Sequence, residues 1–181
     1  MVSSFETQHW ILTELCNKLN KSSIALFNLY VLVHPIEKKE CWHTLYDFME
    51  STSPSNIIIT GDLNLVFNSN EKRVGNTRCD QLLPYVEVLI QQWDLIDFKT
   101  KKGLYTCTNN RTGAAHISAR LYQFLVQSYF LMDKKLVSTK ILPKLTSDHK
   151  PILLQLDEEE NLGPIPFRFN PQWIEQDGFL S

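Results

Sequence analysis

The chain has 181 residues, 43% of them hydrophobic and 21% charged, enough apolar material for one compact domain and too much for wholesale disorder. Its net charge of −2 excludes a uniformly basic nucleic-acid glove. No uninterrupted apolar run is long enough to span a bilayer, and Met1 to Gln8 lacks the basic start and apolar stretch of a secretory signal. Cys16, Cys41, Cys79 and Cys107 stand singly, without a Cys-x-x-Cys pair, which reads as free thiols in an intracellular protein.

In chain order, Ile24 to Val33 is rich in strand formers and closed by Pro35. A helix is predicted from about Pro35, with Cys41, Trp42, Leu45, Phe48 and Met49 at helical spacing. Ser53-Pro54-Ser55 ends it. Asn56 to Thr60 reads as a short buried strand running into Gly61-Asp62-Leu63-Asn64. Asn68 to Asn76 reads as a loop. Asp80 begins a second amphipathic helix with Leu82, Leu83, Val86, Leu89, Ile90 and Trp93 on its apolar side. Tyr105 to Thr108, Arg120 to Val126, Leu136 to Leu142 and Pro151 to Leu156 read as further strands. Beyond Asp157 come an acidic cluster and the helix-breaking Gly163-Pro164-Ile165-Pro166, a linker composition. The division is therefore a domain over 1–157 and a linker over 158–181. Basic residues concentrate between Lys99 and Lys150, including Lys101, Lys102, Arg111, Lys134, Lys135, Lys140 and Lys144, opposed there only by Asp133 and Asp148. Such a run is either a solvated face or a local attraction for phosphate.

Taken singly, the polar groups at strand ends say little. Asp and Asn cap turns everywhere, Ser147-Asp148-His149 could do no more than cap a loop, and a tyrosine in an apolar strand is more often core. Their order says more. A strand bearing Tyr30, then Gly61-Asp62-Leu63-Asn64, then Arg120-Leu121 before Phe124-Leu125-Val126, then Ser147-Asp148-His149-Lys150-Pro151 resembles the C-terminal part of the endonuclease/exonuclease/phosphatase superfamily. Trp42 to Leu45, Asn70 to Arg73, Asn109 to Arg111 and Gly163 to Phe169 narrow the resemblance to the plant LINE-type (non-LTR) retrotransposon group. The resemblance covers nearly the whole chain.

The resemblance implies an α/β sandwich of two packed mixed sheets with outer helices, four layers in all, of which this chain supplies the latter part. It implies DNA nicking by Mg²⁺-dependent phosphodiester hydrolysis, in the nucleus, with a reverse transcriptase domain following in the intact polyprotein. By the same token Asp62 would orient or deprotonate the attacking water. Asn64 would hold the water or a phosphate oxygen, Tyr30 would hydrogen-bond the phosphate, and His149 would donate to it as charge develops. Asp148 would lie beside the metal, and Arg120 would contact substrate.

Three departures from that pattern point to a degenerate enzyme. The family's Asn-bearing and Glu-bearing strands are expected upstream of Met1, and that Glu is the main metal ligand. The family's Arg-Leu-Asp triplet reads Arg120-Leu121-Tyr122, so a neutral phenol replaces the carboxylate that orients the histidine. Cys107 stands where relatives carry Trp. The competing readings are a non-catalytic nucleic-acid-binding remnant and, with less support, another phosphatase or phosphodiesterase of the superfamily. Without partner strands, Ile57 to Ile59, Phe124 to Val126 and Ile152 to Leu154 are expected to expose apolar faces and leave the chain molten.

Overall fold

The computed structural model describes residues 2–16, 22–74, 80–100, 103–109, 111–112, 115–132, 136–144 and 146–157. The linker expected over 158–181 and the basic residues Lys101, Lys102, Lys134 and Lys135 lie outside the described residues.

Three strands open the chain as an antiparallel meander: β1 (Val2–Glu6), β2 (Trp10–Cys16) and β3 (Ser23–Tyr30). Helix α1 (Pro35–Thr52) crosses over and returns the chain as β4 (Ile57–Asp62), parallel to β3. Pro35 at the helix start brings its fixed φ to a position whose N–H needs no partner. Ser53 ends the helix in the left-handed region (φ 46°), its N–H bonding back to the Met49 carbonyl at 2.8 Å. Helix α2 (Leu83–Gln92) and the short β6 (Leu95–Asp97) follow, and β9 (Tyr122–Gln127) then inserts between β4 and β6. The resulting six-stranded sheet has the order β1-β2-β3-β4-β9-β6.

Between β6 and β9 the chain makes β7 (Cys107–Thr108) and β8 (Ser118–Ala119). These join β5 (Lys72–Arg73) in a small sheet of order β5-β8-β7 at one end of the molecule. A short helix α3 (Ser128–Met132) leads to β10 (Leu136–Ile141), which pairs antiparallel with β11 (Ile152–Asp157).

Alternation along the central strands sends side chains to two faces. Ala25, Phe27 and Leu29 of β3, with Ile57, Ile59 and Leu125, meet Cys41, Trp42, Leu45 and Met49 of α1 and Val86 and Leu89 of α2. The opposite face, Ile58, Phe124 and Val126, is covered by Phe130 of α3 and by Ile152, Leu154 and Leu156 of β11. The architecture is thus a layered α/β sandwich: helices, a six-stranded sheet, and a second, two-stranded sheet.

Two expectations change. Ile57 to Ile59 and Phe124 to Val126 are all buried, covered on both faces by this chain's own residues, so the apolar exposure expected of them does not arise. Of the stretches expected to be uncovered, only β11 presents an exposed aliphatic, Leu153. Helix α2 starts at Leu83 rather than Asp80, because the Asp80 carboxylate instead accepts the Leu82 N–H at 2.9 Å and forms an Asx turn.

Candidate active site

The rim where β3 and β4 end carries the polar groups. Tyr30 lies beside Asp62 in the parallel register, and Asp62 lies opposite Tyr122 across the β4–β9 pairing. Gly61 is required just before it. With φ at 114°, a Cβ there would sit 2.1 Å from the Leu29 carbonyl oxygen, so no side chain fits the approach of β4 to β3.

Asp62 is buried. Its Oδ1 accepts the Asn64 N–H at 3.1 Å, and Asn64 takes up the left-handed conformation (φ 49°) that Asn tolerates better than most residues. The Asn64 side-chain amide donates to the Val31 carbonyl at 3.0 Å, and the Asn64 backbone carbonyl accepts from Lys38 Nζ at 2.9 Å. Lys38 is itself buried and also donates to Asp80 Oδ2 at 2.6 Å. The turn is therefore clamped from inside the fold by an ammonium group.

Asp148 and His149 come from the far side of the rim. An isolated bridge pairs His149 with Cys107, the Thr108 N–H donates to the Asp148 carbonyl at 3.2 Å, and the Lys150 N–H donates to the Thr106 carbonyl at 2.7 Å. The ring of His149 lies between two carboxylates, Nδ1 3.8 Å from Asp62 Oδ2 and Nε2 4.0 Å from Asp148 Oδ1. The Tyr122 ring covers it at a centroid distance of 4.8 Å, tilted by 35°. Thr106 holds that part of β9, its hydroxyl accepting from the Leu121 and Tyr122 N–H groups at 2.9 and 3.0 Å. Tyr30, Asp62, Asn64, Asp148 and His149 thus share one rim, with Tyr122 against the histidine. A cleft of about 430 Å³ opens there, its polar wall including Asn64, Asn68, Lys72, Asn109 and Asp148.

The electrostatics follow from burial. Burial raises the Asp62 carboxyl above its ordinary range; His149, the Asn64 amide and Lys38 oppose the rise and Asp148 adds to it. A carboxylate with a raised pKa is a stronger proton acceptor once ionised. The Tyr122 phenol is raised by burial first and by Asp62 second, so it stays neutral at physiological pH and supplies no charge to His149. Burial, then Asp148 and Asp62, raise the Cys107 thiol.

Arg120 departs from the role expected of it. It is 2% exposed, its guanidinium gripped by Asp97 in a two-point contact at 2.7 and 2.5 Å and by Glu71 Oε1 at 2.9 Å. Those carboxylates occupy the fork that a phosphate would need, so Arg120 is a framework residue. The donors also fit Mg²⁺ poorly. Among the described residues, the metal-ligating side chains that gather here are Cys107, Asp148 and His149, a sulfur, oxygen and nitrogen set, whereas Mg²⁺ takes near-octahedral oxygen.

Neither protein-family profiles nor curated protein sequences give a match to the chain. Solved structures do. The endonuclease domain of TRAS1, a telomere-specific non-LTR retrotransposon, superposes with a TM-score of 0.67 at 14% identity, over 88% of this chain and 70% of that one. The AP endonuclease LMAP from Leishmania major gives 0.58 at 19% identity, over 82% and 54%. The 3′ phosphatase NExo from Neisseria, bound to product DNA hairpin, gives 0.59 at 19% identity, over 84% and 66%. A Bacteroides thetaiotaomicron protein described as endonuclease/exonuclease/phosphatase family also matches, at 0.52. The chain has the endonuclease/exonuclease/phosphatase fold. It spans about half the length of the Leishmania and Bacteroides proteins.

Within that fold, sequence reasoning overlooked three supports of the rim: Lys38, Thr106 and the Glu71–Asp97 pair. Lys38 left a trace, since 38, 42, 45 and 49 fall on one helical stripe and a lysine among Trp42, Leu45 and Met49 needs a buried partner. Thr106 and the two carboxylates left none, because their partners are far away in sequence.

Proposed function

We propose that the chain is a retroelement-derived domain of the DNA-nicking phosphodiesterase type that keeps the substrate-facing geometry of its rim and has lost the means to cut. The observation that supports it is the convergence of a buried, raised carboxyl at Asp62 with His149 at 3.8 Å, beside a cleft that their neighbours Asn64 and Asp148 line. In the intact reaction Asp62 would accept the proton of the attacking water. Asn64 and Tyr30 would hold a phosphate oxygen, and His149 would stabilise charge on it from the opposite side. Tyr122 fills the place of an orienting carboxylate with a neutral ring, which offers the imidazole no charged acceptor from β9. Loss of a comparable orienting Asp in a serine protease costs about 10⁴-fold in rate.

The fold neighbour from a non-LTR retrotransposon supports a retroelement origin. The finer reading, a plant LINE-type element whose reverse transcriptase would follow the linker over 158–181, rests on the sequence segments quoted above, and the nucleus would be its place only if it acts on DNA.

The test is a supercoiled plasmid incubated with the full chain, with and without Mg²⁺, alongside retention of a labelled duplex over a salt series. The expected result is DNA retention that weakens as salt rises, with no relaxed product. Nicking that disappears in both Asp62→Asn and His149→Ala would overturn the loss of activity. No retention at low salt would overturn the nucleic-acid reading itself, and release of phosphate from a lipid phosphate would then favour another branch of the fold.

A further inference from the structure

The geometry points to a binding site for a borderline-soft divalent cation of the zinc type, formed by Cys107 Sγ, the Asp148 carboxylate and His149 Nε2, with a fourth position open to the cleft. The ligand atoms of these three residues already lie within 4.8 Å of one another. Tetrahedral zinc with bonds of about 2.0–2.3 Å places neighbouring ligand atoms about 3.5 Å apart. The cluster needs to contract by only about 1 Å, within reach of side-chain rotation.

Three features favour a site over chance proximity. The first is backbone support. Cys107 lies on β7, which is paired to β8, and the bridge to His149 and the two flanking hydrogen bonds fix both ligand-bearing segments. The second is the orientation of the imidazole. Nε2 faces Asp148, while Nδ1 is shielded from solvent without a hydrogen-bond partner and looks toward Asp62 Oδ2 at 3.8 Å. A histidine that ligates a metal through one nitrogen almost always gives its other N–H to a carboxylate, and Asp62 stands in that place. The third is charge and access. Asp62 and Asp148 supply carboxylates beside the Cys107 thiol, whose proton a bound dication would displace, and Asp148 is exposed enough to admit the ion.

Sulfur and nitrogen donors select against Mg²⁺ and Ca²⁺ and for Zn²⁺, Co²⁺ and similar ions. The open position faces the cleft wall that holds Asn64 and Asn109, so a water or an anionic oxygen would complete the shell. This inference stands on donor geometry and holds whether or not the chain acts on DNA.

Cobalt(II) makes the test visible. The full chain, with Cys16 and Cys79 replaced by serine and stripped with a chelator, is titrated with Co²⁺. The expected result is a single equivalent bound, with the intense near-ultraviolet absorption of a sulfur-to-cobalt charge transfer. Zn²⁺ should displace it and a large excess of Mg²⁺ should not. Cys107→Ser should abolish the charge-transfer band, and Asp62→Asn should weaken Zn²⁺ binding by about 10–100-fold while keeping the stoichiometry. Alkylation of Cys107 in the unmutated chain, followed by peptide mass spectrometry, should slow when Zn²⁺ is added, a readout that needs no variant to fold. Absence of the band, its persistence in Cys107→Ser, or alkylation indifferent to Zn²⁺ would each overturn the site. Unchanged affinity in Asp62→Asn would overturn the assigned orientation of His149.

Discussion

Asp62 and Glu71 are buried carboxylates with opposite fates, and pH separates them. Burial raises Asp62 more than His149 and Lys38 lower it, so the folded state holds its proton more tightly than the unfolded chain does. Its contribution is therefore most favourable below the ordinary aspartate value and is lost as pH rises through the raised folded value. Asp62→Asn should raise the melting temperature at neutral pH, a gain that shrinks in acid, and a drop at pH 7 would refute the sign. For Glu71 burial also pushes upward, but Lys99 and Arg120 overcome it and the net shift is downward. Its contribution is present above the ordinary glutamate value and is lost as pH falls through the lowered folded value. Chemical denaturation across the acid range should show that limb, and Glu71→Gln should flatten it. Arg120→Ala would leave Glu71 and Asp97 to share Lys99 alone, and breaking a buried pair costs about 3–5 kcal/mol, which Lys99 would partly offset. Chemical denaturation showing Arg120→Ala as stable as the parent chain would rule that out. Of these residues, the sequence announced Asp62, Asn64 and His149 by type and order. It could not announce what Arg120 does, since its carboxylate partners lie 49 and 23 residues away. The same arginine therefore reads equally well as a substrate ligand or as a framework ion.

The elements were legible in proportion to their apolar content. Helix α1 declared itself by Pro35 at its start and five apolar residues at helical spacing, Cys41, Trp42, Leu45, Phe48 and Met49. Strands β4 and β9 did so by runs of isoleucine, leucine and valine. Strands β1 and β2 passed unread, because Ser3, Ser4 and Glu6 dilute an edge strand and Thr13 and Glu14 interrupt its neighbour. Strand β6 is three residues long and carries no periodic signal. Gly61 matters at this scale, since its missing Cβ lets β4 run flush against β3 up to Asp62. Gly61→Ala forces a side chain onto the Leu29 carbonyl and into a conformation costing about 1–3 kcal/mol. The β3–β4 pairing should loosen at its Tyr30–Asp62 end. Faster amide exchange at Val31, whose N–H bonds the Asp62 carbonyl, would report it. Exchange unchanged from wild type would show that the backbone accommodates the methyl.

For the whole molecule, both faces of β4 and β9 are covered by this chain's own helices and strands. A core closed in this way predicts a cooperative thermal transition, in place of the molten behaviour expected from sequence. Near-ultraviolet circular dichroism should report the packing of Trp42, which is fully buried. A gradual, non-sigmoidal loss of that signal, with strong binding of a hydrophobic dye before heating, would restore the earlier expectation. Exposed aliphatics remain on several elements, among them Ile11 and Leu15 on β2, Ile36 on α1, Val88 on α2, Ile96 on β6 and Leu153 on β11.

The insertion of β9 between β4 and β6 has a kinetic consequence. Strands β1 to β4 and α1 are contiguous in sequence, joined by short connections, and can assemble as the chain emerges. Strand β9 must find β4 across a large separation: the Ile57 N–H bonds the Gln127 side chain 70 residues away. Closing a loop of that length costs entropy before any contact repays it, which slows the step. Pulse-labelled exchange should then protect the β3–β4 amides before those joining β4 to β9. Until that late docking, one edge of β4 stays bare and His149 has neither Tyr122 nor a finished β7–β8 platform beside it. The rim is built last, so its polar groups come together only in a chain that has already committed to the rest of the fold.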